Sequence, residues 1–134
     1  MWMNFSHYSQ LIAYAIAYFP HLLQMSETER QEKTRTLLAE IGELLAEWGP
    51  CNQENIMHLQ FLVAGLNADI IIFAVEQALL CLPRRSRGGH GPEYYGKLAV
   101  DAMLRCIEEY DPSSTDEFRD YAERSIPWEL VQNR

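Results

Sequence analysis

A run of about thirty residues, 53–82, constrains the fold of this chain more than any other feature of its sequence. Advancing each residue by about 100° around a helix places the acidic residues and the histidine of the run in one narrow arc, with large apolar side chains over most of the remaining circumference. The arc contains Glu54, His58, Gly65, Asp69 and Glu76. Because a helix with so narrow a polar face must be covered on several sides, the run predicts one long central helix.

Shorter helices are predicted to supply that cover. They span residues 5–19, 26–48 and 93–110, followed by a short helix that begins at a Ser114 cap and by an apolar tail at 126–131 that docks on the bundle. Pro20 ends the first helix, and Gly49-Pro50 ends the second. Since no strand alternation appears, the fold class is all-α: a small helical bundle with one long central helix and short C-terminal helices.

The chain has 134 residues, the length of one domain. We predict a single helical domain over residues 25–134, preceded by an N-terminal apolar helical arm over residues 1–24. Met25 directly precedes the helix-capping sequence Ser26-Glu27-Thr28-Glu29, so it is either an internal residue or the natural translation start of a chain to which the arm is appended. Residues 83–92, which contain three arginines and three glycines, are expected to form a flexible basic loop.

Charge and cysteine content restrict the class of partner. With 19 acidic and 11 basic side chains, the net charge of −8 disfavours direct binding to nucleic acid or to an anionic membrane. Cys51, Cys81 and Cys106 have no paired spacing and are expected to be reduced, buried thiols. The apolar run Leu11–Phe19 is too short to span a bilayer and lacks the basic start of a signal peptide. We therefore expect a cytoplasmic protein.

Residue spacing gives no support for a catalytic, cofactor or metal site. Glu54 and His58 are one helical turn apart, but Asp69 would lie about 16 Å further along the same helix, too far to share an ion with them. The segment Gly88–Gly91 lacks the Lys-Ser/Thr that follows the glycines of a phosphate-binding loop. Each cysteine lies in apolar surroundings or beside Pro50, which does not favour a reactive thiolate. We therefore predict that the protein is not an enzyme.

More apolar helical surface is encoded than a small bundle can cover, which predicts contact with a second polypeptide, either a homodimer partner or another protein. The predicted interface residues are Leu62, Leu66, Asn67, Ile70, Phe73, Leu80, Tyr14 and Tyr18. The apolar residues among them can equally be core residues.

Gln60 and Asn67 either set the register of a helix interface or form hydrogen bonds within the chain. Arg84, Arg85 and Arg87 are candidates for binding an acidic partner or a phosphate.

Two functions are compatible with this pattern. The first is a small intracellular regulatory protein that binds another protein, such as a transcription regulator, through an apolar helical surface. The alternative is a ligand-binding or enzymatic bundle with a pocket between the third and fourth predicted helices. Its polar lining would comprise His58, Asp69, His90, Tyr94 and Tyr95.

Three features follow one another within Ser26–Tyr110: the capping sequence Ser26–Glu29 leading one helix, the Gly49-Pro50 turn, and the long helix through Asn67. This organisation is similar to that of the small helical anti-activators of LuxR-type quorum-sensing regulators, the QslA- and TraM-like proteins. The resemblance implies an intracellular helical dimer that sequesters a transcription factor. It rests on organisation, so no functional residue is carried over from that family.

Overall fold

The computed structural model describes residues 6–46, 52–81 and 91–132, and these residues form six α-helices and no strand. The helices are α1 (Ser6–Ile16), α2 (Glu27–Ala46), α3 (Asn52–Leu66), α4 (Ala68–Cys81), α5 (Pro92–Glu109) and α6 (Phe118–Gln132). A single 3-10 turn, Leu22–Gln24, lies between α1 and α2. The predicted all-α bundle is confirmed.

One predicted helix cap forms and another does not. At the start of α2 the amide of Glu29 donates to Ser26 Oγ at 3.1 Å, as the sequence indicates. The Glu29 carboxylate contacts His21 Nε2 at 3.0 Å. The cap predicted at Ser114 is absent, because Ser114 Oγ accepts from the amide of Asp116 and the helix begins only at Phe118.

The prediction of one continuous helix over residues 53–82 is wrong. The segment consists of α3 and α4, which meet at Asn67 with a bend of 59°. In an unbroken helix the carbonyl of Leu66 would accept from the amide of Ile70. Here Arg30 Nη1 donates to the Leu66 carbonyl at 2.5 Å, and the Ile70 amide bonds to the carbonyl of Asn67 at 3.0 Å. An arginine 36 positions earlier therefore satisfies the backbone group that the bend exposes.

Asn67 lies at the centre of a buried polar network. Its side-chain amide donates to Val63 O at 2.8 Å and to Thr34 Oγ1 at 3.0 Å, and its side-chain oxygen accepts from Arg119 Nη1 at 2.9 Å. Asn67, Thr34 and Arg119 are all almost fully buried. Of the two roles open for Asn67, the structure therefore supports hydrogen bonding within the chain, where it connects α2, the α3–α4 junction and α6.

The N-terminal arm contributes to the core. Leu11, Ala15 and Leu22 are buried, and α1 crosses α3 where Gly65 permits close approach. A Cβ placed on Gly65 would lie 2.5 Å from both the Leu11 carbonyl oxygen and the Ala15 Cβ. Gly65, which the sequence placed in the polar arc, is therefore the position at which α1 crosses α3, and it is buried.

The C-terminal tail docks as predicted, but as part of α6, which continues through Pro127. Ile126 and Leu130 from α6 are fully buried, as is Tyr95 from α5. Cys106 is a buried free thiol, as expected, whereas Cys81 is exposed at the end of α4.

Several predicted features fall outside the described residues. These are residues 83–90 of the predicted basic loop with Arg84, Arg85 and Arg87, the Gly49-Pro50 turn, and Cys51. Pro92, the last residue of the predicted loop, is the first residue of α5. Proline is suited to this position because the first backbone amides of a helix have no hydrogen-bond acceptor within it.

No single helix in the three described ranges is long and apolar enough to cross a membrane. The bent pair of α3 and α4 reaches that length and hydropathy when its two helices are taken together.

Candidate protein-binding surfaces

The eight predicted interface residues divide into a buried half and an exposed half. Leu62, Leu66, Asn67 and Ile70 are buried within the chain and belong to its core. The exposed four are Tyr14 (37%), Tyr18 (54%), Phe73 (56%) and Leu80 (80%). Tyr14 lies on α1 and Tyr18 in the turn that follows it, whereas Phe73 and Leu80 lie on α4, and the two pairs define two separate surfaces.

The first surface is an aromatic patch formed by Tyr14 of α1 and Tyr18 of the turn after it with His58 and Phe61 of α3. The Tyr14 hydroxyl lies 2.5 Å from His58 Nδ1, within hydrogen-bonding distance. The Tyr14 ring packs edge-on against Phe61 at a centroid distance of 6.0 Å, and Tyr18 packs edge-on against His58 at 4.9 Å. Aromatic pairs at these separations and angles attract one another through their quadrupoles.

Helix spacing and the close crossing at Gly65 explain why these four side chains meet. Tyr14 lies near the end of α1 and Tyr18 four residues later in the following turn, while His58 and Phe61 are one turn apart on α3. The two helices run in opposite directions from their crossing at Gly65, so Tyr14 and Tyr18 extend toward the N-terminal half of α3. The patch is therefore preformed by packing within the chain.

A second feature, the acidic groove, adjoins this patch along α2. One part of the groove, about 430 Å³, is lined by Glu40, Glu43, Leu44, Asn55, His58 and Leu59. A further part, about 610 Å³, is lined by Phe19, Glu29, Glu32, Lys33, Thr36, Leu37 and Glu40. The two parts share Glu40, and the first shares His58 with the aromatic patch. Patch and groove are thus continuous.

The second exposed surface is the α4 face, formed by Phe73, Glu76 and Leu80. Phe73 and Leu80 are seven residues apart, which places them on one side of the helix. Phe73 also lines a groove of about 400 Å³ between α4 and α6, together with Pro127 and the Asp69–Arg119 ion pair. Large apolar side chains repeated on one exposed helix face are typical of a helix that packs against another chain.

The Asp69–Arg119 pair anchors this surface to the core. Arg119 Nη2 donates to Asp69 Oδ2 at 2.7 Å and Nη1 donates to Oδ1 at 3.1 Å. Partial burial alone would raise the pKa of Asp69, but the hydrogen bonds and positive charge of Arg119, with Arg30 nearby, outweigh it and lower the pKa below its usual value. Asp69, which the sequence placed in the polar arc, is therefore ionised and forms a structural ion pair with Arg119.

The residues of the predicted ligand pocket are not brought together. His58 lies in the aromatic patch, whereas Asp69 pairs with Arg119. Tyr94 packs edge-on against the fully buried Tyr95, and His90 lies outside the described residues. A cavity of about 190 Å³ lies elsewhere, between α2 and residues 110–118, where Arg35 pairs with Glu117 at 2.8 Å.

No group of three His, Cys, Asp or Glu side chains that could hold a metal ion occurs in the part of the chain that is described. Burial raises the pKa of the Cys106 thiol to about 11, so this thiol stays protonated and unreactive at neutral pH.

The buried network and the acidic groove are the two features that sequence reasoning missed. Arg119 follows Phe118 in a short amphipathic helix, and its nearly complete burial has no sequence signal. The glutamates of α2 follow the ordinary pattern of a solvated helix face. They lie beside Phe19 and His58 only because the helices pack together.

No family model, curated protein or solved structure matches this chain.

Proposed function

We propose that this chain is a small regulatory protein that binds another protein through exposed apolar side chains, and that its target is a transcription regulator which it keeps from DNA. One observation carries the proposal: the chain closes its own core yet leaves two organised apolar surfaces in solvent, the aromatic patch and the α4 face. Full burial of one large apolar side chain is worth about 1.5–3 kcal/mol. A partner that covers either surface gains several such contributions.

The two surfaces suit two different partners. The α4 face presents two exposed apolar side chains, Phe73 and Leu80, on one side of a single helix, which suits a second copy of the chain packed helix to helix. The aromatic patch combines tyrosine rings with polar edges, the composition enriched at interfaces between proteins that also exist separately. We therefore assign homodimer formation to the α4 face and target binding to the aromatic patch.

Two further observations support this role. The resemblance of the sequence to helical anti-activators of LuxR-type regulators, of which the Ser26–Glu29 cap forms and the long helix through Asn67 does not, suits a dimer that sequesters a transcription factor. The described cysteines, Cys81 and Cys106, are free thiols, which fits action in the reducing cytoplasm.

The test couples capture to a functional readout. The full-length protein is used as bait in cells of its source, and each captured DNA-binding protein is purified and bound to its own promoter DNA. Adding the wild-type protein should release that regulator from DNA at stoichiometric concentration, while Tyr18→Glu should fail to do so. A Leu45→Glu variant serves as the control, because Leu45 is 69% exposed and lies outside both surfaces. A regulator that stays on DNA at saturating protein concentration contradicts the proposal.

A further inference from the structure

We infer that the aromatic patch and the acidic groove form one docking site for a basic amphipathic segment of the target protein, with arginine or lysine on one side and apolar residues on the other. This inference rests on the proposed function and specifies the chemistry of its partner. The patch would take the apolar side of the segment, and the groove its cations.

Charge is the first argument. The groove is lined by four carboxylates, Glu29, Glu32, Glu40 and Glu43, and by the single ammonium of Lys33. A surface of this sign attracts basic segments and repels acidic ones. It also disfavours nucleic acid, whose phosphates would meet the same carboxylates.

The groove already holds one cation against an aromatic ring. Lys33 Nζ lies 5.6 Å from the centroid of the Phe19 ring, within the range of a cation–π contact. At the other end of the groove, Tyr18 exposes 54% of its surface beside His58. An incoming arginine can stack on such a ring while its guanidinium donates to neighbouring carboxylates, a combination that a flat arginine side chain allows.

Continuity is the third argument. His58 belongs to both the patch and the groove, and Glu40 joins the two parts of the groove. A segment that lies along α2 would therefore contact the carboxylates of the groove and, beside His58, the rings of the aromatic patch. This arrangement favours an amphipathic segment over a uniformly basic one.

The experiment uses the full-length protein and a defined probe: a fluorescein-labelled 18-residue peptide with arginine on one helical face and leucine on the other. Its affinity is measured by fluorescence anisotropy. We expect Glu40→Lys with Glu43→Lys to weaken binding about tenfold, because two favourable charge pairs become repulsive. The matched control is Glu108→Lys with Glu109→Lys, which makes the same change in net charge on exposed positions of α5 and should alter affinity less than about twofold.

A second pair of variants tests the aromatic half. Tyr18→Ala should weaken binding about fivefold, whereas Trp128→Ala, which removes an even more exposed ring from α6, should leave it unchanged. A peptide of the same composition in scrambled order should bind more weakly than the amphipathic probe. Circular dichroism of every variant must match that of the wild-type protein, so that a loss of binding is not a loss of fold.

Three results would overturn the inference. One is equal weakening by the groove and α5 charge reversals, which would indicate attraction to net charge alone. The second is equal binding of the scrambled probe. The third is competition by a peptide of residues 82–92 at the concentration of the probe itself, which would identify a second copy of this chain as the occupant. The outcomes of the two experiments can be told apart. If the protein releases a captured regulator from DNA but fails the peptide tests, the proposed function stands and only this docking site is wrong.

Discussion

Individual side chains far apart in sequence decide how the chain turns at Asn67. Arg30 takes the Leu66 carbonyl, and Arg119 joins the Asn67 side chain to the Asp69 carboxylate. The Leu66 carbonyl and the Asn67 side-chain oxygen belong to fully buried residues, and a buried group left without a partner costs about 1–3 kcal/mol. Arginine suits both positions, because its forked donors reach a carbonyl or a carboxylate in fixed geometry.

Gly65 offers a sharp test of the α1–α3 crossing. We expect Gly65→Ala to lower the free energy of unfolding by about 1–3 kcal/mol, because the added methyl group meets backbone of α1 and forces the helices apart. Gly42→Ala is the matched control: Gly42 lies within α2 with nothing within 4 Å of an added Cβ, so the change should raise stability by about 0.5–1 kcal/mol. Urea unfolding of both variants measures the difference, and equal midpoints would contradict the crossing.

The Asp69–Arg119 pair predicts a pH dependence of stability. The pKa of Asp69 is lowered in the folded protein, so its contribution is present at neutral pH and disappears as pH falls through that folded-state pKa. The Asp69→Asn variant should therefore be less stable than the wild-type protein at pH 7. This difference in stability should become smaller as the pH falls below the ordinary pKa of aspartate.

Thermal unfolding between pH 7 and pH 3 measures that gap. Asp120→Asn, which changes an exposed carboxylate on α6, is the control and should show a small, nearly constant difference. A constant gap for Asp69→Asn across this range would count against the ion pair.

The helices differ in what they require of their neighbours. α3 and α4 are apolar over most of their circumference and are covered by α1, α2, α5 and α6. α1 is short and covers the side of α3 on which Gly65 lies, while Leu22 in the following turn is buried and its carbonyl accepts from Arg30. Helices of this length are marginal alone, so each is stabilised chiefly by the faces it shares.

A chain that begins at Met25 tests whether the arm is needed for the fold. Removing residues 1–24 exposes the side of α3 around Gly65 and deletes Leu11 and Leu22, each worth about 1.5–3 kcal/mol of burial. We expect a loss of roughly 3–6 kcal/mol, a large part of the stability of an ordinary domain. Urea unfolding and dye binding to exposed apolar surface measure it, and a peptide of residues 1–24 added in trans should restore part of the loss. An unchanged midpoint would show that the arm is appended.

The whole molecule combines an acidic surface with two apolar ones on different sides. The net charge of −8 opposes indiscriminate association, while the α4 face supplies a short-range apolar contact. Association should therefore be specific and should strengthen as salt screens the repulsion between like-charged copies.

Sedimentation velocity tests the proposed dimer. The wild-type protein should sediment with twice the 15.6 kDa mass of the chain, and Phe73→Glu should shift it to the monomer, because the change replaces one of the two exposed apolar side chains of the α4 face with a charge. Leu45→Glu, which changes an even more exposed apolar position on α2, should leave the mass unchanged. A monomeric wild-type protein at the highest concentration tested would remove the dimer from the proposal.

Structural features that depend on residues close together in the sequence could be predicted from the sequence alone. The apolar period predicts helices, Ser26 predicts the start of α2, and Pro20 limits α1, because each acts on the backbone within one or two turns. The capping prediction at Ser114 was wrong because the hydroxyl has a closer amide, that of Asp116, with which to bond.

Features that depend on contacts across the chain were not accessible in this way. Apolar periodicity cannot show that the long helix ends at Asn67, where Arg30 takes the Leu66 carbonyl, because the two residues meet only after α2 has packed. The same reason explains why Leu62 and Leu66 are covered while Phe73 and Leu80 are exposed: all four occupy apolar helix positions, but the 59° bend turns the outer side of α4 away from the core. Local sequence specifies which segments form helices, whereas burial is a property of how those helices cross.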